Sequence, residues 1–363
     1  MSGKPTPQAR PKLGLALAGG GPKGAVYEIG VLTALDEALE GVDLTDLHVY
    51  VGVSAGAFLA SCLANGIRPR EMRRAMVSFG GGGGPTPFRP EIFFTPAQRE
   101  LVRRLTSVPG HFTQAVLKYL RNPRDMTLLE SLTRTSRALP VGLFDGEPIR
   151  AYLERLFSHK DRTDDFRRLG KHLVVVAADL DSGQAVRFGE PGLDHVPISR
   201  AVQASSALPG LYPPVEIDGR YYVDGVLLKT LHASVALEAG AELLICINPI
   251  VPIDTARAVD AGVMERGRLI DRGLPAVLSQ TFRTLIRSRL AAGMATYEGR
   301  FDADIVMFEP QRDDYQMFFT NIFSFKERRA VFEHAYQRTR RSLLDRREQL
   351  EPIFERHGIT VRW

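Results

Sequence analysis

At 363 residues, with 44% hydrophobic and 25% charged side chains, the chain is large enough for one α/β domain with additions, or for two domains. Forty-seven Lys and Arg against 42 Asp and Glu leave a charge of only +5, which favours anionic partners; no nucleic-acid motif accompanies it, so no nucleic-acid partner is expected. Two cysteines in apolar surroundings, Cys62 and Cys246, exclude a disulfide framework and a cysteine metal site, and no run reaches the roughly 20 apolar residues that span a bilayer.

Residues 1–12 are polar and Pro-rich, without the apolar core of a signal peptide, and read as a disordered tail. The expected setting is cytoplasmic, or at most the surface of a membrane. Residues 12–18 form an apolar run ending in glycines, the pattern of a buried parallel strand. Val26, Ile29, Leu32, Leu35 and Leu39 then recur at helical spacing over 24–40. A second strand is predicted at 48–53 and a helix of small residues at 55–64. This β-α-β-α opening implies a parallel sheet with right-handed crossovers.

Five glycines at 80–84 break the pattern, and 97–160 read as a charged helical cap. Strands are predicted at 172–178 and 185–188, and over 216–223 around an Asp218-Gly219 turn. A helix follows at 231–239 and a buried strand at 243–247. From about 256 onward long basic helices dominate, with one strand at 304–308. Residues 317–325 are apolar and aromatic, and are expected to pack into the core. Residues 326–347 carry eight Lys and Arg, with Val331, Phe332, Ala335 and Tyr336 at helical spacing. A solvated surface helix is the expectation there, ahead of one lying on anionic lipid.

Three motifs carry chemistry. Gly52-Val53-Ser54-Ala55-Gly56 fits G-x-S-x-G between a predicted strand and helix, a setting that lifts the serine hydroxyl above the sheet on a sharp turn. Gly19-Gly20-Gly21-Pro22-Lys23-Gly24 opens the first predicted helix. It formally fits a dinucleotide fingerprint, but the second strand ends in the serine turn, where the ribose-binding acid would stand. It is not a phosphate-binding Walker loop either, since Ala25 follows Gly24. Backbone N–H groups at a helix N-terminus suit an oxyanion beside Ser54, with Lys23 as added positive charge or simply solvated. Asp224-Gly225 ends a predicted strand; alone, such a pair is usually a turn, but a serine needs a base. His232 is the residue that a Ser-acid-His triad would require.

The three motifs in this order resemble the patatin-like phospholipase family, and Gly30-Val31-Leu32 and the stretch from Ser205 to Pro214 extend the likeness. The resemblance implies a three-layer α/β sandwich around a mainly parallel sheet. The catalytic domain would span 13–250 with a variable helical insertion at about 80–160, followed by a mainly helical region over 251–363. It further implies a Ser54–Asp224 dyad without histidine, an oxyanion hole from Gly19, Gly20, Gly21, Lys23 and Gly24, and no metal or other cofactor. The expected partner is a lipid or phospholipid substrate, cleaved by a phospholipase A or lysophospholipase type of reaction. An esterase for another lipid or a polyester, and a silent lipid-binding scaffold, are the alternatives. The family usually continues D-G-G or D-G-A, whereas Val226 stands here; since Val avoids positive φ, an altered turn is expected.

Overall fold

Buried apolar strands that alternate with helices must be covered on both faces. The computed structural model describes residues 11–77, 90–98, 141–260, 262, 269–297, 299–311, 314 and 325–363. β1 (Leu13–Leu17) leads into α1 (Gly21–Ala38), and a short β2 (Leu39–Glu40) follows. β3 (Val49–Gly52) leads into α2 (Ala55–Ala64), α3 (Pro69–Val77) and α4 (Glu147–Phe157). Next come β4 (His172–Asp179), β5 (Ala185–Phe188), α5 (Ile198–Ser205), and the hairpin of β6 (Val215–Ile217) and β7 (Arg220–Asp224). The chain continues through α6 (Ala233–Glu238), β8 (Leu243–Ile247), α7 (Thr255–Asp260), α8 (Leu274–Tyr297) and β9 (Asp304–Phe308). It ends with α9 (Phe325–Asp345), α10 (Arg347–Arg356) and β10 (Thr360–Val361).

The central sheet runs β6-β7-β4-β3-β1-β8-β9, with β5 also on β4. From β4 through β9 the neighbours are parallel, and β5, β6 and β7 supply antiparallel pairs at the other side. The period-2 alternation of strand side chains sorts the core into two faces. Leu15, Leu17, Tyr50, Val175 and Ile245 join α1, α2, α4, α5 and α9 on one face. Ala16, Val51, Val176, Leu244 and Cys246 join α6 and the second half of α8 on the other. Cys62 belongs to the first face and Cys246 to the second, so the sheet separates the two buried thiols.

Several boundaries differ from the sequence reading for local reasons. α1 begins at Gly21 rather than Gly24, because Pro22 in its first turn has φ preset and no N–H to satisfy. It ends at Ala38, since Leu39 and Glu40 pair with β10 instead. The predicted 216–223 strand is the β6–β7 hairpin, turning at Asp218 (φ 52°) and Gly219 (φ 75°). The glycine run, most of the predicted cap (99–140) and residues 317–324 lie outside the described residues. No helix among the described residues is long and apolar enough to cross a membrane.

The C-terminal residues add β9 to the sheet beside β8, and α9 lies along α1. Val331, Phe332 and Ala335 of α9 are buried there, so this face of the basic helix packs on protein. The close approach depends on Gly30: a Cβ at that position would lie 2.7 Å from both Ala335 Cβ and the Phe332 carbonyl oxygen. Backbone cannot yield as a flexible side chain does. Gly30→Val is therefore expected to lower the unfolding free energy by about 1–3 kcal/mol, the usual penalty of overpacking. Urea denaturation checks this, and an unchanged midpoint would contradict the packing.

Candidate active site

The three motifs lie on different strands, and sheet register decides whether they meet. Leu17 of β1 stands opposite Gly52 of β3, and Gly52 opposite Val175 of β4. Asp224 of β7 stands opposite Ala177, two residues further along β4. Two residues beyond Leu17 and Gly52 come Gly19 and Ser54. Glycine loop, serine and aspartate thus share one level at the carboxyl ends of β1 and β3, where open α/β sheets form ligand sites. A Cβ on Gly19 would sit 3.3 Å from Ser54 Cβ and 3.1 Å from Val226 Cγ2.

Ser54 makes the turn from β3 into α2 with φ 54° and ψ −122°, a conformation that costs an L-residue about 1–3 kcal/mol. Close packing explains the flanking glycines. A Cβ on Gly52 would lie 2.4 Å from Ala57 Cα, and one on Gly56 2.4 Å from the Leu17 carbonyl oxygen. Val53 N–H donates to the Leu17 carbonyl at 3.2 Å, and Gly56 N–H to the Ala18 carbonyl at 3.1 Å. Ala55 opens α2 directly after the serine. Ser54 N–H donates to Ser205 Oγ at 2.8 Å, and Ser205 Oγ donates to the Val176 carbonyl at 2.6 Å. Ser205, at the end of α5, thereby ties the strained turn to β4.

Asp224 is buried. Its N–H donates to the Ala207 carbonyl at 3.0 Å, and its carboxylate accepts from Val226 N–H at 2.9 Å, with the Ser54 hydroxyl beside it. Burial away from water raises the carboxyl to about 7, against the opposing pull of Val226 N–H and the Ser54 hydroxyl. The altered turn expected from Val226 is a short 3₁₀ turn over Gly225–Leu227, with positive φ at neither Gly225 nor Val226. Valine is accommodated, its side chain against Gly19. Gly225 is required by contact instead: a Cβ there would lie 2.5 Å from the Val176 carbonyl oxygen.

In the glycine loop, two of the expected oxyanion donors are already engaged. Gly19 N–H donates to the Thr230 carbonyl at 3.3 Å and Gly24 N–H to the Gly20 carbonyl at 3.0 Å. Among the described residues, the N–H groups of Gly20 and Gly21 make no hydrogen bond; they stand at the N-terminus of α1, with Gly21 at φ 59°. Gly20 must be glycine because a Cβ would meet Pro249 Cγ at 2.6 Å. Lys23 is half-buried and not isolated. Burial first, then the positive charge of Arg283 on α8, lower its ammonium to about 8, against Glu327 of α9.

His232 does not complete a triad. Its ring is buried against the backbone of Gly225 and Lys229, and burial lowers it to about 4. Its Nε2 has no hydrogen-bond partner among the described residues. The sequence reading gave no role to the residues that hold the loops: Ser205 and Ala207, inside the 205–214 stretch that extends the family likeness, and Thr230 and Pro249 outside it. All four act through backbone contacts or a buried hydroxyl and belong to no catalytic pattern.

Comparison with known proteins bears on this arrangement directly. The family model described as patatin-like phospholipase matches residues 15–237, more than half of the chain, and includes all three motifs. The chain belongs to the patatin-like phospholipase family. A protein of Acanthamoeba polyphaga mimivirus is 25% identical over 227 residues, 60% of this chain and 55% of the viral protein. An NTE family protein of Mycobacterium tuberculosis is 36% identical over 75 residues, 21% of this chain and 19% of its own length. The chain thus spans about half, or less, of these relatives. Among solved structures, VipD from Legionella pneumophila has a TM-score of 0.41 at 16% identity, covering 93% of this chain and 67% of VipD. A human GIVD cytosolic phospholipase A2 has a TM-score of 0.32 at 11% identity, covering 93% of this chain and 58% of the human one.

The raised carboxyl of this patatin-like chain has a consequence for stability. The folded state holds a proton on Asp224 up to about pH 7, whereas the unfolded carboxyl loses it near 3.8. The folded state therefore binds more protons between those values, and stability from this group, full below about pH 4, is lost as pH rises toward 7. Asn cannot ionise. The stability of wild type minus that of Asp224→Asn is expected to fall across that window and then level off. Urea unfolding at a series of pH values checks it, and a difference that rises with pH would contradict it.

Proposed function

We propose that the chain is a lipid acyl hydrolase, of phospholipase A or lysophospholipase type, working through a Ser54–Asp224 dyad. The single observation that carries this reading is the placement of Ser54, on a strained turn, beside a buried carboxylate near neutral pKa. A base whose pKa lies near working pH both accepts and returns a proton efficiently. Asp224 takes the Ser54 proton as Oγ attacks the ester carbonyl. The N–H groups of Gly20 and Gly21, at the positive end of α1, hold the oxyanion, at roughly 3–4 kcal/mol per donor. Collapse breaks the C–O bond, and Asp224 passes its proton to the departing alcohol. Water then gives a proton to Asp224 and attacks the acyl-enzyme; the fatty acid leaves as the proton returns to Ser54. Gly52, Val53, Ala55 and Gly56 shape the turn, and Gly225 and Val226 orient the carboxylate.

A long acyl chain needs an apolar wall beside the nucleophile. Phe58, one turn into α2 from Ser54, has ring centroids 6.3 Å from Phe93 and 6.1 Å from Tyr152. Phe144 lies 5.3 Å from Phe94 and 6.2 Å from Tyr212, whose phenol is raised by burial first and then by the charge of Asp224. The half-buried Phe93, Phe94, Phe144 and Tyr212, rather than the core residues Phe58 and Tyr152, are the part of this cluster open to an acyl chain, which supports a lipid substrate over a small polar ester.

Fatty-acid release from phospholipid vesicles tests the proposal. Ser54→Ala and Asp224→Asn are each expected to lose activity by on the order of 10³-fold or more, as when members of other acyl-transfer units are removed. A wild type that hydrolyses neither vesicle lipid nor a soluble short-chain ester would leave only the scaffold reading. Full activity in Asp224→Asn would place the base elsewhere.

A further inference from the structure

Large apolar side chains exposed to solvent are normally scattered. Here six of the twelve found among the described residues fall between 270 and 285, leading into and along α8. Ile270 is 67% exposed, Leu274 68%, Leu278 45%, Phe282 46% and Leu285 52%, with Val277 beside them. Within α8, the three- and four-residue spacing of Leu274, Val277, Leu278, Phe282 and Leu285 puts them on one face of the helix, and Ile270 stands in the turn before it.

The inward side of the same stretch is polar. Gln280 brackets Ile253, accepting its N–H at 3.2 Å and donating to its carbonyl at 2.8 Å. Arg283 donates to the Val251 carbonyl at 3.2 Å, and Arg287 pairs with Glu309. Farther along, the arrangement reverses to the usual one: Leu290, Met294 and the buried Tyr297 face the core. The first half of α8 is thus inside out, gripped by hydrogen bonds and the Arg287–Glu309 ion pair while its apolar face looks outward. Burial among the described residues does not account for that face.

Its position relates it to the site. Val251 follows Pro249, which packs on Gly20 and Gly24 of the glycine loop. At the other end, Arg289 donates to the Leu227 carbonyl at 2.6 Å, three residues after Asp224. The helix is therefore fixed to both sides of the dyad. Its 24 residues hold no Asp or Glu; Arg287 is neutralised by Glu309 and Arg283 is turned inward, but Arg289 is exposed and hydrogen-bonded to uncharged carbonyls, so it keeps its charge for a partner. An apolar face on an acid-free, basic helix complements an anionic lipid surface.

We infer that α8 is an interfacial docking helix, whose Leu274–Leu278–Phe282–Leu285 face inserts into an anionic phospholipid surface and sets the dyad beside it. The basic α9 does not fill this role with its apolar stripe, which is spent on α1. The inference rests on the lipid-hydrolase reading for its purpose, but the binding can be measured without turnover.

The test is co-sedimentation of the full chain with phosphatidylcholine vesicles, with and without phosphatidylserine, alongside hydrolysis of a water-soluble short-chain ester. Wild type is expected to sediment with the phosphatidylserine vesicles. Leu278→Ser combined with Phe282→Ser should weaken that binding at least about tenfold, given what two buried side chains contribute. Both side chains are exposed, so the soluble ester should be turned over within about twofold of wild type, which also reports an intact fold. Ser54→Ala should bind vesicles as wild type does. Equal vesicle binding by wild type and the double variant would overturn the inference. So would a wild-type dimer in solution that the double variant abolishes while neither protein binds vesicles, since the face would then serve a second copy. Failure of wild type on the soluble ester would count against the catalytic reading alone.

Discussion

The backbone at Ser54 is the constraint on which the site depends. A serine at φ 54° would relax if left to itself, so the surrounding structure must hold it in several ways at once. It is held by the Ser54 N–H to Ser205 Oγ bond, by Ser205 Oγ in turn on the Val176 carbonyl, and by the close seating of Gly52 and Gly56. Val176 belongs to β4, the strand that also registers Asp224 through Ala177. One strand therefore fixes both the turn and the carboxylate, and Gly225 can approach the same Val176 carbonyl because it has no side chain.

Once those strand ends are level, electrostatics follows from burial. Asp224 lies where water cannot reach it, which lifts its pKa toward neutrality and leaves Val226 N–H as its hydrogen-bond donor with the Ser54 hydroxyl beside it. His232 experiences the same burial with the opposite sign: its ring is held neutral and packed against the acid turn, so it supports that turn rather than the serine. The α8 helix shows how polarity can be allocated for position. Its charged and amide groups bind backbone on the protein side, which leaves its apolar residues for another surface.

Much of this was legible in the sequence where a residue pattern has one physical solution. Residues 55–64, 185–188, 243–247 and 304–308 form the predicted elements with the predicted bounds, because short apolar runs between turn residues leave little choice. The α/β class and the family were legible for the same reason, since strand, glycine loop and serine turn follow in order. Other features depend on partners distant in sequence. Ser205 matters because Ser54 N–H lies 2.8 Å away across 151 residues, and no local pattern encodes that. The engagement of Gly19 by Thr230 likewise needed the fold, as did the tolerance of Val226 in a turn without positive φ. The inverted first half of α8 was hidden too, since periodicity shows that a helix has an apolar face but not which way it points.

The most direct measurement of the central claim is the rate at which a fluorophosphonate labels Ser54 as a function of pH, in wild type and in Asp224→Asn. If Asp224 activates Ser54, labelling in wild type rises about tenfold per pH unit and levels off with a midpoint near 7, whereas Asp224→Asn labels slowly with no such step. Labelling as fast and as pH-dependent in Asp224→Asn as in wild type would contradict the account.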